Sequence, residues 1–132
     1  MVPSFVDTNV FVYAVGGSHP LREPAQMMLR DRLESGRPMA TSAEVLQELL
    51  HVYLPVSRVE ALDAALQLAT DLALIWPVDA SDVLAARDLA RSETGLGARD
   101  LLHLAICRRY GAGELLTFDR ALAAAFDSRV GR

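Results

Sequence analysis

Ser4-Phe5-Val6-Asp7-Thr8-Asn9 is the stretch whose reading decides the fold. A short apolar run ends abruptly in a carboxylate, and an amphipathic run from Val10 to Val15 follows at once. That succession reads as a strand delivering Asp7 to the carboxyl edge of a sheet, with a short helix behind it. Gly16-Gly17 ends the helix, and Pro20 lies beyond.

Working outward, the same alternation repeats. Leu21 to Glu34 is predicted helical, with Ala25, Met28, Leu29 and Leu33 on one face. Pro38-Met39-Ala40 is a brief strand. Thr41-Ser42-Ala43-Glu44 matches a capping box in which Thr41 caps and Glu44 reaches back, opening a helix to about Leu54. Val45, Leu49 and Val52 mark its core stripe, and Glu48 borders that stripe. Arg58 to Leu72 is a further helix, and Ala73-Leu74-Ile75-Trp76 a buried strand. Asp79 caps a helix through about Glu93; Gly95 and Gly97 break the chain before Asp100. Leu101 to Tyr110 is apolar and helical, Glu114 to Thr117 a strand, and Arg120 to Phe126 a short helix opened by Asp119. Ser128 to Val130 is the optional fifth strand. Short apolar strands alternating with helices call for an α/β fold: a parallel sheet of four to five strands with helices on both faces.

Ligand crevices in such sheets lie outside the carboxyl ends of the strands. Asp7 and Asp119 follow strands, Glu48 sits two turns into the helix after the second strand, and Asp100 starts the helix leading into the fourth. Each acid alone also fits a turn, a cap or a solvated face. Their joint placement is what points to a site. Two carboxylates ~4 Å apart at an effective dielectric of ~20 repel by about 4 kcal/mol, so protons or a cation must relieve four of them. Oxygen ligands favour a hard cation, Mg²⁺ or Mn²⁺, which activates water and clamps phosphoryl oxygens. Phosphodiester hydrolysis is the matching reaction class.

Composition bounds the alternatives. The chain has 132 residues, about half of them apolar, which suits a single domain over 1–132. No apolar run reaches the ~18 residues that span a bilayer, and no signal peptide is expected. The lone Cys107 fits a reducing cytoplasm and a place in the core. All 13 basic residues are Arg, so a phosphate loop built on Lys and Schiff-base chemistry are both excluded. The 17 acids less the four named ones leave 13, equal to the 13 Arg; the net charge of −4 is thus the size of the proposed cluster. His19, His51 and His103 show no ligand spacing, and no zinc site is expected.

Four motifs in order carry a resemblance. Phe5-Val6-Asp7-Thr8-Asn9, the run from Thr41 to Glu48, Gly95 to Ala105 around Asp100, and Leu116-Thr117-Phe118-Asp119 together resemble the PIN-domain ribonucleases, specifically the VapC-like toxins of bacterial toxin–antitoxin pairs. The resemblance covers about residues 4 to 127. It implies a three-layer α/β/α nuclease that cuts RNA and needs Mg²⁺ or Mn²⁺. Asp7, Asp100 and Asp119 would be the principal metal ligands, and Glu48 would complete the site and help orient the attacking water. Thr117 would support Asp119 or contact substrate; Asn9 and Ser42 are further supporting candidates. A homodimer is implied, with a small cognate antitoxin blocking the crevice. Arg22, Arg99 and Arg120 are candidates for the rim that meets the RNA backbone.

A haloacid-dehalogenase-type phosphatase needs a second Asp at position 9, which is Asn, and a Lys; a response-regulator receiver fails on the same Lys. A non-catalytic binding module of this fold and a nuclease acting on DNA remain as alternative readings.

Overall fold

The structure is a computed structural model that describes residues 2–130, without the side chains of 129 and 130. Strand β1 (Ser4–Val6) runs into helix α1 (Thr8–Val15), followed by α2 (Arg22–Glu34), β2 (Met39–Ser42) and α3 (Ala43–Tyr53). After a 3₁₀ turn at Leu54–Val56 come α4 (Val59–Leu72), β3 (Leu74–Trp76), α5 (Ala80–Leu89), α6 (Ala98–Tyr110), β4 (Glu114–Leu116) and α7 (Arg120–Val130). The four strands form one parallel sheet in the order β3-β2-β1-β4.

That order reverses at β1. The chain steps outward from β1 to β3, then returns to lay β4 on the other side of β1. Right-handed crossovers place α1 to α4 on one face and α5 and α6 on the other. The packing agrees: α1 packs against α2, α3 and α4, while α6 packs against α5 and α7. Phe5, Val6, Val10, Phe11, Val45, Leu49, Leu104, Ile106 and Leu122 are fully or almost fully buried between these layers. The reversal opens the crevice between the carboxyl ends of β1 and β4. The Asp7 N–H donates to the Leu116 carbonyl at 3.0 Å, so the two strand ends that bound the crevice are tied together.

Several local expectations are corrected. Thr41 does not cap α3; it extends β2, pairing with Ile75, and its Oγ1 donates to the Val6 carbonyl at 2.8 Å. Ser42 is the cap, accepting from the Val45 N–H at 3.2 Å, which puts Glu44 one position too early for a capping box. The α3 stripe closes on Tyr53, because Val52 turns outward and is 42% exposed. On α2, Ala25 and Leu29 are buried but Leu33 faces solvent. β3 is an edge strand and not a buried one: Leu74 is exposed and only Trp76 is covered, by stacking on Tyr110 at 4.6 Å. Asp79 does cap α5, in a reciprocal box with Asp82, but the helix ends at Leu89. α6 starts at Ala98, which places Asp100 inside its first turn. The fifth strand is absent among the described residues, since α7 continues through Val130.

Candidate active site

Asp7 is 5% exposed and is itself the N-cap of α1. Its Oδ1 accepts from the Thr8 N–H at 2.7 Å, and its Oδ2 accepts from Thr117 Oγ1 at 2.7 Å. The carboxylate is therefore fixed from both strand ends. Asn9 stitches the same two loops: its Nδ2 donates to Thr117 Oγ1 at 3.3 Å, and its Oδ1 accepts from the Phe118 N–H at 3.2 Å. Thr117 Oγ1 also accepts from the Asp119 N–H at 3.0 Å. The hydroxyl thus serves Asp7 by its proton and Asp119 by its lone pair. Asn9 and Thr117 hold the crevice together, whereas Ser42 Oγ is engaged in capping α3.

Glu48 enters from α3, on the face beside the Leu49 stripe. Thr8 Oγ1 donates to its Oε2 at 2.6 Å, and His103 Nε2 lies 2.8 Å from its Oε1. The same Nε2 lies 3.6 Å from Asp7 Oδ1, so the imidazole sits between two carboxylates without aiming squarely at either. Ligand atoms of Asp7, Glu48 and His103 all fall within 4.8 Å of one another. His103 is 1% exposed, its ring held tilted against Phe5 at 5.7 Å.

Electrostatics extend the group. Burial pushes the Asp7 carboxyl up, against the opposing pull of His103 and Thr117. Burial also pushes Asp100 up, and the charges of Asp119, Asp7 and Glu48 add to the rise. For Glu48 burial acts upward too, but His103, Thr8 and Arg99 together bring it below its ordinary value. Burial alone would lower His103; the facing carboxylates of Glu48, Asp7 and Asp100 outweigh it and raise the imidazole. Asp119 caps α7 through Oδ1, which accepts from the Leu122 N–H at 3.0 Å. All four predicted acids therefore sit in one electrostatic neighbourhood: two anchored inside, with Asp100 and Asp119 partly exposed at the mouth. Among the rim arginines, Arg99 acts on Glu48, while Arg22 lines a polar pocket with His19 and Arg30. Arg120 is exposed.

His103 is the residue that sequence reasoning missed. It adds a nitrogen to a cluster expected to be all oxygen. The one signal was its spacing: His103 follows Asp100 by three positions, so a helix puts both on one face.

Raised carboxyls in a buried group with few compensating cations are the signature of a site that accepts a positive charge. Carboxylate oxygens as the majority donors suit a divalent ion.

Comparisons with known proteins agree with this geometry. The PIN domain family model matches residues 4–126. Ribonuclease VapC23 of Mycobacterium tuberculosis is 56% identical over 124 residues, covering 94% of this chain and 98% of the relative. Ribonuclease VapC13 of the same species is 38% identical over 127 residues, covering 96% and 94%. Among solved structures, M. tuberculosis VapC20, described as a sarcin-ricin loop cleaving toxin, superposes with a TM-score of 0.72 at 23% identity, over 92% of this chain and 94% of that one. VapBC2 from Rickettsia felis, bound to a fragment of its promoter DNA, gives 0.65 at 20% identity over 88% and 86%. At those identities the two structures speak for the fold. With the sequence relatives and the family match, they place this chain in the PIN-domain family, among the VapC ribonucleases.

Proposed function

We propose that this chain is an Mg²⁺- or Mn²⁺-dependent endoribonuclease, the toxin of a toxin–antitoxin pair. The observation that carries the reading is the convergence of Asp7, Glu48 and His103 within 4.8 Å, with Asp100 electrostatically coupled to them. Asp7, Asp100 and Asp119 would hold the cation. When bound, such an ion supplies a polarised water and neutralises phosphoryl charge. The chain's own residues do the rest. Thr8 and Thr117 fix the Asp7 carboxylate, and Thr117 ties Asp119 to the same frame. Glu48, kept ionised by His103 and Thr8, keeps lone pairs with which to orient an attacking water. Arg99 at the rim offsets the approach of a polyanion to an acidic crevice.

Labelled RNA and DNA incubated with the purified chain in Mg²⁺, Mn²⁺ or EDTA test this directly. RNA is cut only with metal, and Asp7→Asn lowers the rate by at least about a thousandfold, as loss of a principal electrostatic group does. Cleavage of DNA alone, or an Asp7→Asn chain as active as its parent, contradicts the reading. Expression should arrest growth, and co-expression of a small antitoxin encoded beside the gene should relieve it. The relatives' name and the VapBC complex support that partner.

The reading places the protein in the cytoplasm as a homodimer. No helix among the described residues is long and apolar enough to cross a membrane. For self-association, Val83 and Leu84 on α5 are exposed, and Val83 borders an apolar groove of about 390 Å³ lined by Ala86, Leu101 and Leu102.

A further inference from the structure

His103 is not one of the four acids of the proposed nuclease site, yet its ring converges with Asp7 and Glu48 and is almost fully buried. It is 1% exposed, and neither ring nitrogen makes an aligned hydrogen bond among the described residues; its tie to Glu48 is an ion-pair contact. A buried polar group left this way needs a reason, since most are satisfied. The reason lies in the carboxylate charge that Nε2 meets. Nε2 sits 2.8 Å from Glu48 Oε1, while Thr8 Oγ1 grips the opposite oxygen at 2.6 Å. Glu48 is thus held at both ends, from α6 and from the first turn of α1. Asp100, three residues earlier on α6, is partly exposed. The helix therefore presents two groups in depth: a carboxylate at the mouth and an imidazole behind the inner acids.

We propose that His103 is a positioning residue: with Thr8 it clamps Glu48 beside Asp7, presetting the inner half of the cation site before any ion arrives. The inference rests on the nuclease reading above and deepens it. A free Glu side chain on α3 would have three rotatable bonds to freeze when the cation binds. The clamp freezes them on folding, so binding no longer bears that entropy loss. The imidazole acts through Glu48. Its ring is buried behind the acids and tilted against Phe5.

The experiment measures Mn²⁺ affinity of the full chain by calorimetry, without RNA, alongside melting temperature, kcat and KM. His103→Leu removes the donor at similar volume; His103→Gln keeps an N–H. Partners that orient metal-binding carboxylates are worth 10- to 100-fold in affinity. We expect His103→Leu to weaken Mn²⁺ by about that factor, with kcat falling and KM little changed, and His103→Gln to recover most of the loss. A His103→Leu chain that melts earlier but binds Mn²⁺ as tightly as the parent overturns the proposal. So does a His103→Gln chain that binds as weakly as the Leu variant, because the ring itself is then a ligand. Should His103→Leu not fold, Thr8→Val tests the clamp from its other jaw: about tenfold weaker Mn²⁺ is expected, and unchanged binding overturns it. A parent chain that cuts RNA while these variants bind normally fails the clamp alone. A parent chain without metal-dependent cleavage fails the nuclease reading.

Discussion

Glu114 and Asp100 lie at opposite ends of the sheet, and their environments shift them in opposite directions. Glu114 opens β4 and is gripped by Arg32 in two contacts of 3.0 and 2.8 Å, by Arg37 at 3.1 Å and by Ser4 Oγ at 2.7 Å. Those donors, Arg32 foremost, hold its carboxyl down from 4.5 to about 2. A depressed carboxyl contributes stability that is present above 4.5 and lost as pH falls toward about 2. At 1.36 kcal/mol per unit this is at most about 3 kcal/mol. Glu114→Gln should therefore destabilise the fold at pH 7 and flatten its acid-melting curve between pH 5 and 2 in denaturant titrations. Asp100 is the reverse case. Burial and neighbouring carboxylates raise it, so its ionised form opposes folding, and the penalty grows as pH rises through its raised value. Asp100→Asn should raise the metal-free melting temperature by a few degrees and shrink the rise that Mn²⁺ produces. A lower metal-free melting temperature would place Asp100 outside the repulsive group. As candidates, Asp7, Asp100 and Asp119 were legible because each stands where a strand ends or a helix begins, and Glu48 because it borders the core stripe of α3. His103 was not, since a histidine in an apolar helix looks like core until the fold turns its face toward Glu48.

At the scale of elements, the periodic signals located the helices, while boundaries moved by up to four residues, as at the end of α5 and of α7. α1, α2, α4 and α6 fall where the apolar spacing puts them. The misplaced cap on α3 shows why boundaries resist sequence reading. Thr41 and Ser42 are equally good caps in isolation, and only the pairing of Thr41 with Ile75 on β3 decides between them. Ser42→Ala should cost about 1 kcal/mol in a denaturant melt, since its hydroxyl satisfies the Val45 N–H. A neutral Ser42→Ala would remove that assignment. β3 misled for a related reason. Its apolar residues suggest a fully covered strand, yet it lies at the sheet edge with one neighbour strand, and aromatic stacking from Tyr110 and Phe5 reaches Trp76. The Ser128–Val130 segment is too short to distinguish strand from the last turn of a helix, and α7 simply carries on.

At the scale of the whole molecule, strand order does the assembling. Because β4 returns beside β1, the loops carrying Asp7 and Asp119 become neighbours, and Asn9 and Thr117 link them, while Thr8 ties the first loop to Glu48. The helices on the two faces then contribute Glu48 from one side and Asp100 with His103 from the other. The exposed apolar side chains of α5 make self-association testable: Leu84→Glu should shift a dimer toward monomer in sedimentation experiments while leaving the fold intact. The measurement that bears most directly on the account is anomalous diffraction from crystals of the chain soaked in Mn²⁺. The account predicts one dominant peak bounded by carboxylate oxygens of Asp7, Asp100 and Asp119, with Glu48 still between His103 and Thr8. A peak elsewhere on the surface, or none at saturating Mn²⁺, would contradict it.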